Sequence, residues 1–253
     1  LEALILVPKG ANITNSRSTI IEVNNPRLSF GRIVRKFFIK KNYNKGIHNS
    51  TLVGKNCKIH KSVSIGANCV IGEGVKIGEN SVLNNNVIIS DNVIIGKYCY
   101  FKSGAVIGED GFGFELEKNK SPERIPHTGS VVIGSHVEVG SNNTIARGTI
   151  NNTIIEDHVK IDDNVHIAHN CCISKNTIIT ACVEISGSVK VGKNCWIGPN
   201  SSIIQKINIG NNCTIGIGAI LTKDVKDNSK IMGLNSIDLK SLVRFKKRLK
   251  YDT

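Results

Sequence analysis

The sequence predicts a mainly β fold, a left-handed parallel β-helix built from hexapeptide repeats, and three observations lead to it. From Ile155 to Leu221 an aliphatic residue recurs at every sixth position. A small or β-branched residue such as Cys171 stands four positions after each of them. Glycine often follows the aliphatic, as at Gly192 and Gly198, where a turn has no room for a Cβ. Two inward positions in every hexad suit short strands separated by turns, and this repeat is typical of a parallel β-helix.

The repeat extends over most of the chain but is interrupted twice. Earlier blocks with the same six-residue period cover residues 53–107 and 133–145. Three hexads form one triangular coil, so positions separated by three hexads are expected to lie above one another. Residues 109–130 break the phase, and a second, shorter break lies around Asn151. Loops that interrupt a solenoid can carry binding groups without disturbing its core.

Residues 1–45 lie outside the repeat and predict a small, partial α/β piece. Leu4–Val7 and Thr19–Val23 are predicted strands. Asn25 is a good helix cap, and Pro26 suits the first position of a helix. The helix carries an apolar stripe that we interpret as core or docking surface, made of Phe30, Ile33, Val34, Phe37 and Phe38.

The β-helix is predicted over residues 46–230, and residues 231–253 follow as a short basic helix. The formal net charge of +13 favours acidic partners. No nucleic-acid motif accompanies this charge, so an acidic carrier protein or a phosphorylated substrate is favoured over nucleic acid. The C-terminal helix is either a solvated cap or a docking site for an acidic carrier protein, formed by Arg244, Lys246, Lys247 and Arg248.

Hydropathy and the lack of a signal peptide predict a cytoplasmic protein. No apolar run is long enough to span a membrane and no signal peptide is present, so no integral membrane contact is expected. No Cys–His spacing resembles a metal site. Six of the eight cysteines occupy the small inward position of the hexad, which favours free thiols: Cys57, Cys69, Cys99, Cys171, Cys195 and Cys213.

His169 is the candidate general base. It lies third in its hexad, on the wall of a rigid prism, and an imidazole can accept a proton at neutral pH. Gly187 stands three hexads later, where a glycine leaves a backbone N–H accessible to a developing oxyanion. These two residues are the smallest pair that supports acyl transfer. His166, sixth in its hexad, is a candidate supporting residue.

A structural β-helix or a metal enzyme is the alternative to acyl transfer. A catalytic zinc site of the carbonic anhydrase type needs three His ligands and one open coordination position. His166 lies close to His169 in sequence, but the positions three hexads before and after His169 are Asn151 and Gly187. We therefore predict no metal and no cofactor.

Five motifs carry a resemblance to a known family. The first two are Gly111-Phe112-Gly113-Phe114 and Ile125-Pro126-His127-Thr128-Gly129. The others are Ile145–Gly148, Lys160–Asp163 and the stretch Ile167-Ala168-His169-Asn170. Over residues 1 to about 230, the chain resembles the UDP-3-O-acylglucosamine N-acyltransferases of lipid A biosynthesis, which are left-handed β-helix hexapeptide acyltransferases.

The resemblance implies a homotrimer with active sites in the clefts between prisms. His169 would take the proton of the attacking sugar amine, and the Gly187 amide would hold the oxyanion. Asp162 would orient His169 or contact substrate. The donor would be a 3-hydroxyacyl-carrier protein, and the acceptor a UDP-linked amino sugar. The implied substrate and donor contacts are Phe112, Phe114, His127, Asn170, His166 and Lys206.

The chain departs from this family in three places. The stretch Ile145–Gly148 lacks the usual Asp, and Lys206 stands where a second histidine is common. The N-terminal uridine-binding domain is matched only in its last part, so an abbreviated form is expected. These departures leave a second prediction open, an acetyl-CoA-dependent sugar N- or O-acetyltransferase of surface-polysaccharide synthesis.

Overall fold

The aliphatic residue of each hexad ends a short strand, and the residues after it turn the chain toward the next strand. The computed structural model describes residues 3–13, 18–39 and 46–233. The chain divides into two units, Leu1–Asn44 and Lys45–Thr253. The second unit is a parallel β-helix, which confirms the predicted fold class.

Over residues 46–233 the strands stack into three parallel sheets, numbered here in chain order. The first sheet contains β4 (Leu52–Val53), β7 (Val70–Ile71), β10 (Ile88–Ile89), β13 (Val106–Ile107), β18 (Thr144–Ile145), β21 (His166–Ile167), β24 (Glu184–Ile185), β27 (Ser202–Ile203) and β30 (Ile220–Leu221). The second contains β5 (Lys58–Ile59), β8 (Lys76–Ile77), β11 (Ile94–Ile95), β16 (Val131–Ile133), β19 (Thr153–Ile155), β22 (Cys172–Ile173), β25 (Lys190–Val191) and β28 (Asn208–Ile209).

The third sheet contains β3 (Gly46–Ile47), β6 (Ser64–Ile65), β9 (Val82–Leu83), β12 (Tyr100–Phe101), β17 (Glu138–Val139), β20 (Lys160–Ile161), β23 (Ile178–Ile179), β26 (Trp196–Ile197), β29 (Thr214–Ile215) and β31 (Lys230–Ile231). A separate antiparallel hairpin, β14 (Phe114–Leu116) with β15 (Pro122–Arg124), lies inside the interruption at residues 109–130.

The register shows where the interruptions lie. Ile167 pairs with Ile185, three hexads further along the chain, as predicted. Ile145 pairs with Ile167, and Ile107 pairs with Ile145, so both of these coils are longer than three hexads. The prediction of three hexads per coil is therefore wrong across the two breaks, because the extra residues loop outward and the coils on either side still pair.

The interior is made by the two inward positions of each hexad. The aliphatic side chains from Ile65 to Ile215 are almost completely buried, with Phe101 the largest of the group. All eight cysteines are free, and five of the six predicted inward ones are buried, with Cys57 half-buried. Burial raises the pKa of Cys171 to about 12, so this thiol stays protonated and acts as an inert spacer.

The turns depend on two different residue types. In most hexads the fourth residue adopts positive φ, as at Asn170 (60°) and Ser188 (62°), a conformation that Asn tolerates well. Glycine after the aliphatic serves a different purpose, because coils approach closely there. A Cβ on Gly192 would lie 2.5 Å from the carbonyl oxygen of Gly210.

The first unit contains the predicted elements. Strands β1 (Leu4–Pro8) and β2 (Thr19–Val23) pair in parallel, and helix α1 spans Pro26–Phe37. The Asn25 side chain accepts the N–H of Leu28 at 3.0 Å, which confirms the predicted cap. No residue of α1 is buried within this unit, so the apolar stripe is not a core there. Docking stays a prediction for it.

Of the segment predicted as a C-terminal helix, residues 231–233 are described, and Ile231 belongs to strand β31. The rest of that segment, with Arg244, Lys246, Lys247 and Arg248, lies outside the described residues. In the described part of the chain, no helix combines the length and the apolar character needed to cross a bilayer.

Candidate active site

The irregular features of the β-helix share one corner, where the first sheet turns into the second. We call it the site corner. The turn after β13 carries the insertion at residues 109–130, and the turn after β18 carries the break at residues 149–152. The turns after β21, β24 and β27 carry His169, Gly187 and Lys206. The fold therefore stacks residues from five successive coils.

Hydrogen bonding determines which nitrogen of His169 carries a proton. The Asn170 side-chain oxygen Oδ1 accepts the backbone N–H of Thr149 at 3.1 Å and its hydroxyl at 2.7 Å. His169 Nδ1 lies 2.9 Å from the same oxygen and so donates to it. His169 Nε2 is left as the bare, basic nitrogen.

The basic edge of His169 lies against Gly187. A Cβ on Gly187 would be 2.7 Å from both Cε1 and Nε2 of the His169 ring. The backbone is held on both sides, since Ser188 N–H donates to the His169 carbonyl and Lys206 N–H donates to the Gly187 carbonyl, each at 2.9 Å. Glycine is thus required here to give the imidazole its place.

The site corner also interrupts a hydrogen-bonding pattern of the β-helix. At the third hexad position the backbone N–H is often capped by a side-chain oxygen from the next coil. Within residues 46–233, examples of such capped residues are Ala67, Glu73, Lys97, Ser135, Ser141, Lys193 and Asn211. Gly187 has no side chain to cap His169, and its own N–H has no hydrogen-bond partner in the described part of the chain. Gly187 is buried, and its unpartnered amide is the candidate donor to an oxyanion.

His127 reaches His169 from the insertion. It is buried, with 6 % of its surface exposed, and its ring lies 5.2 Å from the His169 ring at 73°. Its Nδ1 donates to the Ile125 carbonyl at 3.0 Å. A Cβ on Gly111 would lie 2.9 Å from His127 Nε2 and 3.0 Å from His169 Cβ, and one on Gly113 would lie 2.8 Å from His127 Cε1. The two glycines are therefore needed to close the loop over both rings.

An aromatic cluster lies next to this loop. Phe112 is 87 % exposed, and its ring lies 4.8 Å from that of Phe114. The Arg124 guanidinium stands 4.7 Å from the centre of the Phe114 ring. An exposed aromatic face beside a cation suits a flat or anionic ligand group.

Arg147 anchors the start of the insertion. Its backbone N–H donates to the Glu109 carbonyl at 2.9 Å, and its guanidinium Nε donates to the Gly108 carbonyl and lies 3.8 Å from the Asp110 carboxylate. The sequence prediction gave Arg147 no role and named it only within the stretch Ile145–Gly148, which lacks the family's usual Asp.

Asp162 and His166 lie away from this cluster. Asp162 lines a cleft of about 290 Å³ on the third sheet together with Lys160 and Trp196. His166 is exposed on β21, and its Nδ1 lies 2.6 Å from the Thr144 hydroxyl. The orienting contact to His169 Nδ1 comes from Asn170, not from Asp162. Among the residues that the structure describes, no three His, Cys, Asp or Glu side chains converge as metal ligands.

The corner between the second and third sheets is regular, and we call it the ladder corner. Rings stack in parallel from Tyr98 to His136 to His158, with centres 5.0 and 4.7 Å apart. Side-chain amides continue the column from Asn176 through Asn194 and Asn212 to Asn228, each donating to the next at 3.0–3.1 Å.

Comparison with known proteins gives the repeat an assignment. The family of bacterial transferase hexapeptides (six repeats) matches residues 44–78, 74–109 and 188–223. These matched segments lie within the hexad repeat and cover less than half of the chain. Its solved structural neighbours include LpxA from Acinetobacter baumannii, with a TM-score of 0.68 and 25 % identity over 79 % of this chain and 77 % of that one. A UDP-N-acetylglucosamine acyltransferase from Francisella novicida has a TM-score of 0.69 and 28 % identity over 79 % and 73 % of the two chains.

Sequence relatives match a shorter segment more closely. The UDP-3-O-acylglucosamine N-acyltransferase of Dechloromonas aromatica is 56 % identical over 71 residues, which are 28 % of this chain and 20 % of the relative. UDP-3-O-acylglucosamine N-acyltransferase 2 of Legionella pneumophila strain Philadelphia 1 is 51 % identical over 73 residues, 29 % and 21 % of the two chains. The matched segment spans about a fifth of the length of these curated relatives.

Proposed function

We propose that this protein is an N-acyltransferase that moves an acyl group from a thioester to the amine of a nucleotide-linked amino sugar. The observation that carries the proposal is the pairing of His169 with Gly187. The Nδ1–H of His169 is held by Asn170, and the bare Nε2 faces a glycine whose N–H is unbonded in the described residues. A base and an oxyanion donor in contact are the two groups that acyl transfer needs.

The arrangement supports a stepwise transfer. The amine nitrogen attacks the thioester carbonyl carbon while His169 Nε2 takes the departing N–H proton. The carbonyl oxygen becomes an oxyanion, and the Gly187 N–H stabilises it. When the C–O double bond reforms, the C–S bond breaks and the thiolate leaves. His169 then gives its proton to the sulfur, so amide and thiol are the products and the base is restored.

The remaining candidate contacts divide by position. Phe112 and Phe114 offer an exposed aromatic surface, and Asn170 fixes the base. Lys206 lies one coil beyond Gly187 at the same corner, where its ammonium suits a phosphate of the donor arm or the nucleotide. In a trimer, His166 and Asp162, which lie on other parts of the coil, would reach substrate across a subunit cleft.

The names of the similar proteins favour a lipid A-type substrate, a UDP-linked glucosamine derivative. We propose a 3-hydroxyacyl-carrier protein as donor, with Arg244, Lys246, Lys247 and Arg248 as its docking site. A homotrimer and a cytoplasmic location belong to the same proposal, and the free cysteines fit a reducing compartment. No cofactor is needed for this chemistry.

A donor assay tests the proposal. Purified protein is incubated with a UDP-linked 2- or 3-amino sugar and either 3-hydroxyacyl-carrier protein or acetyl-CoA, and product mass is followed. Hydroxyacyl transfer to nitrogen is the expected result. Salt-sensitive use of the carrier, lost when the four basic residues are neutralised, would support the docking site. Failure of both donors with all amino sugars would overturn the assignment.

O-acylation is the second candidate, and a specific observation favours it. The Francisella novicida structure with a TM-score of 0.69 is that of a UDP-N-acetylglucosamine acyltransferase. A bare imidazole nitrogen above an amide serves a hydroxyl as well as an amine. The assay therefore includes UDP-N-acetylglucosamine, and acylation of this sugar alone would replace N-transfer by O-transfer. Transfer from acetyl-CoA alone would identify a sugar acetyltransferase.

A further inference from the structure

One ring nitrogen of His127, Nε2, receives no hydrogen bond from any described residue. In the described part of the chain, its Nε2 is buried and has no hydrogen-bond partner. A buried polar atom without a partner costs free energy, so it persists where something else gains from it. Nothing in the packing of the β-helix core uses this atom, because His127 belongs to the insertion.

The charge distribution of the His127 ring follows from its one hydrogen bond. The Ile125 carbonyl can only accept, so Nδ1 carries the hydrogen and forms the positive end of the ring dipole. The lone pair on Nε2 is the negative end. That end is on the side of His169, since a Cβ on Gly111 would be within 3.0 Å of both His127 Nε2 and the His169 ring atom Cδ2.

The lone pair on His127 Nε2 has its largest effect on His169 when His169 becomes positively charged, which happens during proton transfer. When Nε2 of His169 takes the amine proton, the ring changes from a neutral imidazole to an imidazolium ion. A fixed dipole with its negative end toward that ring stabilises the cation without reorganisation, and burial from water strengthens the effect. The T-shaped contact at 5.2 Å holds the two rings in this relation.

We propose that His127 is a positioning residue, a buried neutral imidazole that supports the cationic state of His169. This role rests on the proposed acyl transfer but differs from contact with substrate. This role also explains why Gly111 and Gly113 are glycines, since side chains at these positions would force His127 away from His169.

The test compares His127→Phe, which keeps a flat ring, with His127→Gln, which keeps an acceptor oxygen, and with His158→Phe at the ladder corner as control. The first readout needs no substrate. Diethyl pyrocarbonate acylates the bare nitrogen of an imidazole and generates a cation, and mass spectrometry of the His169 peptide gives the rate. We expect His127→Phe to slow this rate about tenfold, while His127→Gln and His158→Phe stay within about twofold.

The second readout is steady-state kinetics with the active donor. We expect His127→Phe to lower kcat about tenfold or more with KM unchanged, and His127→Gln to restore most of kcat. An unchanged His169 rate, equal losses in Phe and Gln variants, or a rise in KM at constant kcat would each overturn the proposal. If the wild-type protein transferred no acyl group, the reagent rates would still decide the role of His127.

Discussion

The site corner and the ladder corner have the same backbone conformation at the turn but differ in how their side chains contact one another. Asn170 and Asn194 occupy equivalent turn positions with φ of 60° and 57°. At the ladder corner, rings stack between coils from Tyr98 to His158, and side-chain amides bond between coils from Asn176 to Asn228. At the site corner, the insertion at residues 109–130, the break at residues 149–152 and Gly187 interrupt this regular side-chain contact between coils. The comparison shows where a site can form on a repetitive scaffold: at positions where polar groups, here the Gly187 N–H and His127 Nε2, have no hydrogen-bond partner from a neighbouring coil among the described residues.

Replacement of His169 should give the largest difference in activity between equivalent substitutions at the two corners. We expect His169→Ala to lower kcat/KM about 10³-fold, because the general base is lost. The ring lies outside the hydrophobic core, so thermal unfolding should change little. The matched change at the ladder corner, His158→Ala, should leave kcat/KM within about twofold. Retained activity in the His169 variant would exclude this residue as the base.

Filling the gap at Gly187 should have the next largest effect. In Gly187→Ala the new Cβ would meet Nε2 and Cε1 of His169 at 2.7 Å, and the ring cannot retreat easily because Gly111 and His127 lie behind it. Displacement of the base is expected to cost about 10² in kcat. Lys193→Ala, at the same hexad position on the ladder corner, is the control. Equal activity of the two variants would refute close packing at Gly187.

A pair of glycine substitutions tests what the turn asparagines do. Glycine tolerates positive φ, so Asn170→Gly and Asn194→Gly remove side-chain contacts without backbone strain. Asn170→Gly loses the contacts to His169 Nδ1 and Thr149, and kcat should fall about tenfold or more. Asn194→Gly loses only ladder bonds, and stability should change by about 1 kcal/mol or less. Similar kcat values would show that Asn170 does not orient the base.

The smallest effect is expected at the corner between the third and first sheets. The Lys102 ammonium, 2.9 Å away, and the Ser141 N–H hold the pKa of Asp163 below its ordinary value of 3.8. A depressed carboxyl pKa stabilises the fold above that value, and this contribution is lost as pH falls through the lower, folded-state pKa. Both side chains are more than a third exposed, so it is less than about 1 kcal/mol.

Lys102→Gln should therefore lose less stability than the wild type between pH 5 and pH 2, measured by urea unfolding at each pH. A steeper loss in the variant would reverse the sign of this linkage.

The sequence by itself determined the repeat, and through it the fold. Side chains at two positions in every hexad must be buried, and coiled short strands satisfy that period. The period alone therefore predicts that Ile167 and Cys171 point inward, and both are buried. The same phase placed His169 and Gly187 on neighbouring coils. Asn25 and Pro26 fixed the start of α1, because capping is a local interaction.

Only the tertiary structure decided what the interruptions do. The insertion has no period, so its sequence could not show that it folds back over the site corner and brings His127 to 5.2 Å from His169. The shorter break lengthened the coil below His169 beyond three hexads, which brought Thr149 to Asn170 and moved Asn151 out of the predicted position. Contacts of this kind depend on loop geometry across coils, whereas periodicity constrains only the residues that pack inside.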